Sequence, residues 1–181
     1  MGLFMIKPAR QGHLDNFCGI YSIVNAVSYL YPTSLNRKNL CLKLINQFHQ
    51  QHDVIDLINY GMSHVEVDEL IANVLNKGYY KKRYPLKITT PYRNKKGIRV
   101  QTLLDEITQF LNRNNQVTSS TAVILATQHH WSVVTVIDSV FIHFFDSAGI
   151  EKAYKRSFSL KRSYKTYYLD LNDIYFLECE L

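Results

Sequence analysis

Three side chains in this chain could together activate a thiol for nucleophilic attack: Cys18, His130 and Asp146. Cys18 closes the polar stretch Gln11-Gly-His-Leu-Asp-Asn-Phe and opens an apolar segment in which Ile20, Ile23, Val24, Val27 and Leu30 recur at helical spacing. Asp15 or Asn16 stands where a cap belongs, and Pro32 stops the run. A sulfur in the first turn of that helix feels unpaired amide N–H groups and the positive end of the helix dipole. Both favour the thiolate, which is the nucleophilic form. Far along the chain, His130-Trp-Ser-Val-Val-Thr-Val136 and Val140-Phe-Ile-His-Phe-Phe-Asp146 read as two neighbouring strands joined by a short turn. An antiparallel hairpin would bring His130, at the head of the first, close to Asp146, at the end of the second. Nucleophile, base and orienting carboxylate are then available together.

Each member has rivals. A lone cysteine at a helix start is often an ordinary buried hydrophobe, and only the company of His130 and Asp146 points further. His129 competes with His130, but adjacent strand residues face opposite ways, so only one can face the cleft. Asp138 competes with Asp146, but Ile137-Asp-Ser reads as the hairpin turn, where aspartate serves locally. His143 could join a histidine pair in a metal set, yet the spacing carries no zinc signature and no cysteine pair supports it, so neither metal nor cofactor is expected. For an oxyanion donor the choices are Gln11 and Asn16, with the Cys18 backbone N–H as second donor.

An amide side chain upstream of Cys18-Gly19 at a helix start, a distant His130-Trp131 opening a strand, and Asp146 ending the next strand resemble the papain-like cysteine peptidase clan. The order and short His–Asp interval are most similar to the compact bacterial peptidases that process bacteriocin leader peptides. The resemblance covers residues 11–31 and 121–149. It implies Cys18 as nucleophile, His130 as its acid–base partner, Asp146 as the group that fixes the imidazole, and Gln11 as oxyanion donor. Gly19, which leaves room for a close backbone, and Trp131 are the implied substrate-side neighbours. The implied activity is thiol-dependent acyl chemistry on a peptide or isopeptide bond. Deamidation and transglutamination run through the same three residues, and a ribonuclease toxin on this scaffold is the alternative from another class. A small catalytic domain of this kind resembles an intracellular effector, toxin or maturation enzyme.

The elements that must hold these residues follow from the rest of the pattern. Ser34 or Asn36 opens a second helix with Leu40, Cys41, Leu44, Ile45 and Phe48 on its apolar stripe. Asp53–Tyr60 reads as a short helix closed by Gly61. Ser63 with Glu66 three residues later is a capping box for a helix that buries Val67, Leu70, Ile71, Val74 and Leu75 and ends at Gly78. A fourth long helix is expected from about Val100 to Asn114. Leu3–Ile6 and Tyr84–Thr90 read as edge strands, the latter because of Pro85. From Thr121 the period changes: Ala122-Val-Ile-Leu125 is a continuous apolar run, as in a strand covered on both faces. Strands follow at 132–137, 140–145, 151–154, 166–169 and 174–179. Helices first (about 1–115) and an antiparallel sheet second (about 120–181) is an α+β plan in one domain. Across it a papain-like fold would lay the cysteine helix.

A chain of 181 residues with 46% hydrophobic and 20% charged residues has enough apolar surface for a real core, which excludes a disordered chain. Cys18, Cys41 and Cys179 are odd in number and widely spaced, which argues for reduced thiols and a cytoplasmic setting. Met1–Lys7 lacks the basic region and cleavage site of a signal peptide, and no apolar run approaches membrane-spanning length. The net charge of +6 gathers in two tyrosine-interleaved clusters. The first holds Lys81, Lys82, Arg83, Arg93, Lys95 and Lys96, and the second spans Lys152–Lys165. Either a solvated basic face or contact with an acidic partner such as nucleic acid fits them.

Overall fold

A computed structural model describes residues 6–12, 15–113, 120–162 and 166–180. The helices are α1 (Cys18–Leu30), α2 (Arg37–His49), α3 (Val54–Tyr60), α4 (His64–Leu70), α5 (Gly78–Arg83) and α6 (Val100–Leu111). The strands are β1 (Leu86–Thr89), β2 (Thr121–Thr127), β3 (His130–Ile137), β4 (Phe141–Phe144), β5 (Lys152–Tyr154), β6 (Phe158–Ser159) and β7 (Tyr167–Cys179). The fold is α+β, with helices preceding an antiparallel sheet of order β1-β7-β2-β3-β4-β5, and β6 joins β7 in parallel. The expected edge strand over Leu3–Ile6 lies almost wholly outside the described residues, as do the last expected helical residue Asn114 and part of the second basic cluster.

The sheet has helices on both faces. On β2, Ala122, Ile124 and Ala126 face a core shared with Ile20, Ile23, Val24 and Val27 of α1 and with α2–α4. Val123 and Leu125 face a second core with Leu103, Leu104, Ile107 and Phe110 of α6. The alternation of a strand thus explains the unbroken apolar run: each face of β2 has its own layer of helix to bury against. Burying a leucine or isoleucine this completely contributes about 1.5–3 kcal/mol, so β2 is a principal seam of the structure.

Local signals set most helix ends. The Asn36 side chain accepts from the Asn39 amide (3.0 Å) and Asp53 from the Ile55 amide (2.8 Å). Ser63 and Glu66 form the full capping box. Gly61 takes φ +76°, a conformation that suits glycine, to end α3. Four expectations are corrected. The cap of α1 is Phe17, without a side-chain cap bond, because Asp15 instead accepts the Phe17 amide (3.1 Å) from within the loop. The helix opened by Ser63 passes into a π turn, Ile71–Leu75, and Gly78 begins α5 rather than only ending what precedes it. The last two expected strands are one strand, β7, whose pairing with β2 shifts register between Leu125 and Thr127. Residues 170–173 take up that shift.

Candidate active site

The loop before α1 is fastened at several points, and those fastenings set where the Cys18 sulfur lies. Asp15 accepts the Gly12 amide (3.3 Å) as well as that of Phe17. The Asn16 amide donates to the carbonyls of Ile58 (2.8 Å) and Asn59 (3.0 Å), tying the loop to the end of α3. Both Asn16 hydrogens are thereby engaged. The Ala9 amide donates to Asn25 Oδ1 (2.7 Å), and Asn25 Nδ2 returns a bond to the Ala9 carbonyl (3.1 Å). This reciprocal pair lays residues 6–12 along α1. Cys18 is then the first residue of α1 and only 7% exposed.

His130 opens β3 after the two-residue turn Gln128-His129, in which Thr127 pairs with His130. The turn is clamped from the side: Gln128 donates to the Thr166 carbonyl (2.8 Å) and accepts the Tyr168 amide (2.7 Å) at the start of β7. His129 is exposed within the turn. His130 Nε2 lies 2.8 and 2.7 Å from the two carboxylate oxygens of Asp146. The Asp146 side chain has no exposure, and it also accepts from the Ala148 amide (3.2 Å) and the Ser132 hydroxyl (3.5 Å). Nε2 is thus engaged and Nδ1 is the free ring nitrogen, while the Cys18 thiol donates to the Asn16 carbonyl (3.8 Å).

Two effects compete on the imidazole. Burial pushes its pKa down, while hydrogen bonding to Asp146 and to Cys18, with their charges, pulls it up. The pull wins, and the His130 pKa rises to about 9. Residues 18, 130 and 146 therefore form one interacting group, and the imidazole in it is protonated at neutral pH.

Gln11 reaches the same place from the N-terminal side. Its backbone amide donates to the Ser147 carbonyl (3.2 Å), and its Oε1 accepts from the Ser147 hydroxyl (3.1 Å). Its Nε2 donates to the Asp15 carbonyl (3.2 Å). Two residues on, the turn after Asp146 favours glycine because Gly149 takes φ +90°, with Arg10 Nη1 lying 2.0 Å from where a Cβ would stand. Residues 9–12 thus strap the cysteine loop to the Asp146 turn.

Gly19 and Trp131 have internal neighbours. A Cβ on Gly19 would lie 2.8 Å from Met62 Cε, so this glycine makes room for Met62. Trp131 is 4% exposed and donates its indole N–H to the Met62 carbonyl (2.9 Å). Where a substrate-side role was expected, both residues seat the loop between α3 and α4 beneath the cysteine.

The rival residues are occupied elsewhere. Asp138 accepts the Val140 and Phe141 amides (2.7 and 2.6 Å) and pairs with His143 (2.6 Å) at the β3–β4 turn. The His143 bond and then these amides hold the Asp138 carboxyl well below the usual range. Among the described residues, no group of three or more histidine, cysteine, aspartate or glutamate side chains is placed to hold a metal ion. Of the first basic cluster, Lys81 pairs with Glu180 (2.7 Å). Arg93 is turned inward onto Asp68, the Asn172 carbonyl (3.1 Å) and the Tyr175 hydroxyl (3.1 Å). That position is structural, which removes it from the surface set. Among the described residues no helix is long and apolar enough to cross a membrane.

Sequence reasoning missed the supporting groups Ser132, Ser147, Asn25, Met62 and Gln128. Ser132 and Ser147 could have been found, since one lies two residues along the strand from His130 and the other directly follows Asp146. The remaining three act across the fold and left no local signal. No family model matches the chain, and no curated protein or solved structure matches it either.

Proposed function

We propose that this chain is a cysteine peptidase-like hydrolase, which cleaves an amide bond through an acyl-enzyme on Cys18. The observation that carries the reading is His130, hydrogen-bonded to a fully buried carboxylate and near enough to Cys18 for both groups to raise its pKa, to about 9. Such a ring stabilises a thiolate as an ion pair at neutral pH and still has a proton to give to the leaving nitrogen. Asp146 fixes the tautomer and favours the imidazolium. In attack, the sulfur adds to the carbonyl carbon, and the oxyanion takes hydrogen bonds from the Cys18 amide and the second Nε2 hydrogen of Gln11. Collapse expels the amine, protonated by His130. Water, deprotonated by the now neutral imidazole, then releases the acid and regenerates the thiol.

The Gln11 assignment is favoured over Asn16 because both Asn16 hydrogens are already donated to α3 carbonyls. The acyl acceptor distinguishes hydrolysis from deamidation or transglutamination, and the same three residues serve all of them. The papain-like architecture and a cytoplasmic site of action belong to this reading.

The test is alkylation of the folded protein with iodoacetamide at pH 7, followed by mass spectrometry. Rapid modification confined to Cys18 and slowed by His130→Ala is expected. Equal rates in both proteins, or faster labelling at Cys41 or Cys179, would remove the activated thiol and the hydrolase with it.

A further inference from the structure

Away from the thiol, α2, the π turn and the start of α5 enclose an open groove of about 430 Å3. Its lining is Lys43, Asn73, Val74, Lys77, Gly78, Tyr79 and Tyr80, which supplies two ammonium groups and no carboxylate. Lys77 is held by a bond to Asn73 Oδ1 (2.8 Å), which fixes one cation at the wall, while Lys43 is exposed on α2. Tyr79 is 64% exposed. It is braced edge-on by Tyr80 and Tyr84, with ring centroids 5.2 and 6.2 Å away, so its outer face is a steadied aromatic platform open to solvent. Gly78 (φ +56°) has nothing within 4 Å of where a Cβ would lie, so the backbone beside that platform is open to close approach. The groove wall also contains the π turn, a rare backbone form that recurs at functional sites.

We propose that this groove binds a nucleotide unit, its base on Tyr79 and its phosphate between Lys43 and Lys77. The volume falls in the range of small-ligand sites. Cations alone would suit any anion; the braced, exposed ring adds the feature that selects a planar base, through stacking available to every base. The acyl chemistry of Cys18 requires none of these residues, so the groove stands or falls separately from it. The same unit can arrive as a free nucleotide or within a single strand of RNA.

The experiment is fluorescence anisotropy with a fluorescein-labelled oligouridylate at low salt, with ATP, AMP and inorganic phosphate as competitors. Binding is expected, and Tyr79→Ala should weaken it roughly tenfold, the loss of one stacked base. The Lys43→Gln/Lys77→Gln pair should also weaken it and lower the salt slope by roughly 1. Lys95→Gln/Lys96→Gln should leave it unchanged. Displacement by ATP or AMP identifies the free nucleotide as the ligand; binding of the oligonucleotide undisturbed by them identifies the strand. The proposal is overturned if neither nucleotide nor oligonucleotide binds, or if binding ignores the groove variants. It is also overturned if phosphate displaces the probe while Tyr79→Ala has no effect. These surface changes should leave thermal unfolding and Cys18 alkylation as in the wild type, which separates loss of the site from loss of the fold.

Discussion

An imidazole pinned by a buried carboxylate keeps its proton to higher pH than one in water, and His130 is such a ring. With its pKa near 9 in the folded chain against 6.5 unfolded, its contribution to stability is fully present below pH 6.5 and is lost as pH rises through about 9. The difference in unfolding free energy between wild type and His130→Gln should therefore shrink across that window, from about 2–3 kcal/mol toward zero in urea titrations. For the proposed hydrolase, cleavage of a peptide substrate should fall with the same alkaline limb, since the leaving nitrogen needs that proton. Asp146→Asn keeps the shape and removes the charge, so Cys18 alkylation at pH 7 should slow, by up to about 30-fold if the thiol returns to an ordinary pKa near 8.5. An unchanged rate there would mean that the carboxylate plays no part in activating the thiol. These three residues were legible because each sat at the end of an element whose period could be read. Asn25 and Met62 were not, because nothing along the chain says that a helix amide reaches back to Ala9 or that a methionine carbonyl faces Trp131.

At the scale of elements, the site depends on two braces. The first is Met62, between Gly19 and the Trp131 indole. Gly19→Ala should cost about 1 kcal/mol by overpacking, and most of that should return in a double variant that shortens Met62 to Val, read as a thermodynamic cycle. The second is the Gln128 clamp on β7. Gln128→Ala removes two hydrogen bonds near the surface and should lower stability by about 1–2 kcal/mol. Its effect on Cys18 alkylation should exceed what that loss explains, because the freed turn carries His130. The capping box at Ser63, the stop at Gly61 and the buried run of β2 could all be read from sequence, since each is a short-range signal. The π turn and the onset of α5 at Gly78 could not. Glycine after an apolar stripe marks a helix end in most settings, and here the chain turns at once into Tyr79 and the lysines.

Across the whole molecule, the register shift in β7 gathers Asp170, Asn172 and Asp173 near His64 of α4 and the 90–95 turn. Burial, then the charge of Asp170, raise the Asp173 pKa to about 6, against the opposing pull of His64. A carboxyl raised on folding stabilises below its unfolded value near 3.8 and loses that contribution as pH rises through 6. Asp173→Asn should therefore flatten the stability profile between pH 4 and 6 and gain on the order of 1–2 kcal/mol at pH 7, measured by urea unfolding. This network joins residues more than a hundred positions apart, which is why it escaped a reading made segment by segment.

The place of β7 between β1 and β2 has one more effect. Among the described strands β7 comes last in the chain, yet β1 and β2 both need it for their ladders and the Gln128 turn needs it for its anchor. During synthesis, therefore, the turn that carries His130 gains its clamp only after Thr166 and Tyr168 have been added, long after Cys18 and His130 themselves.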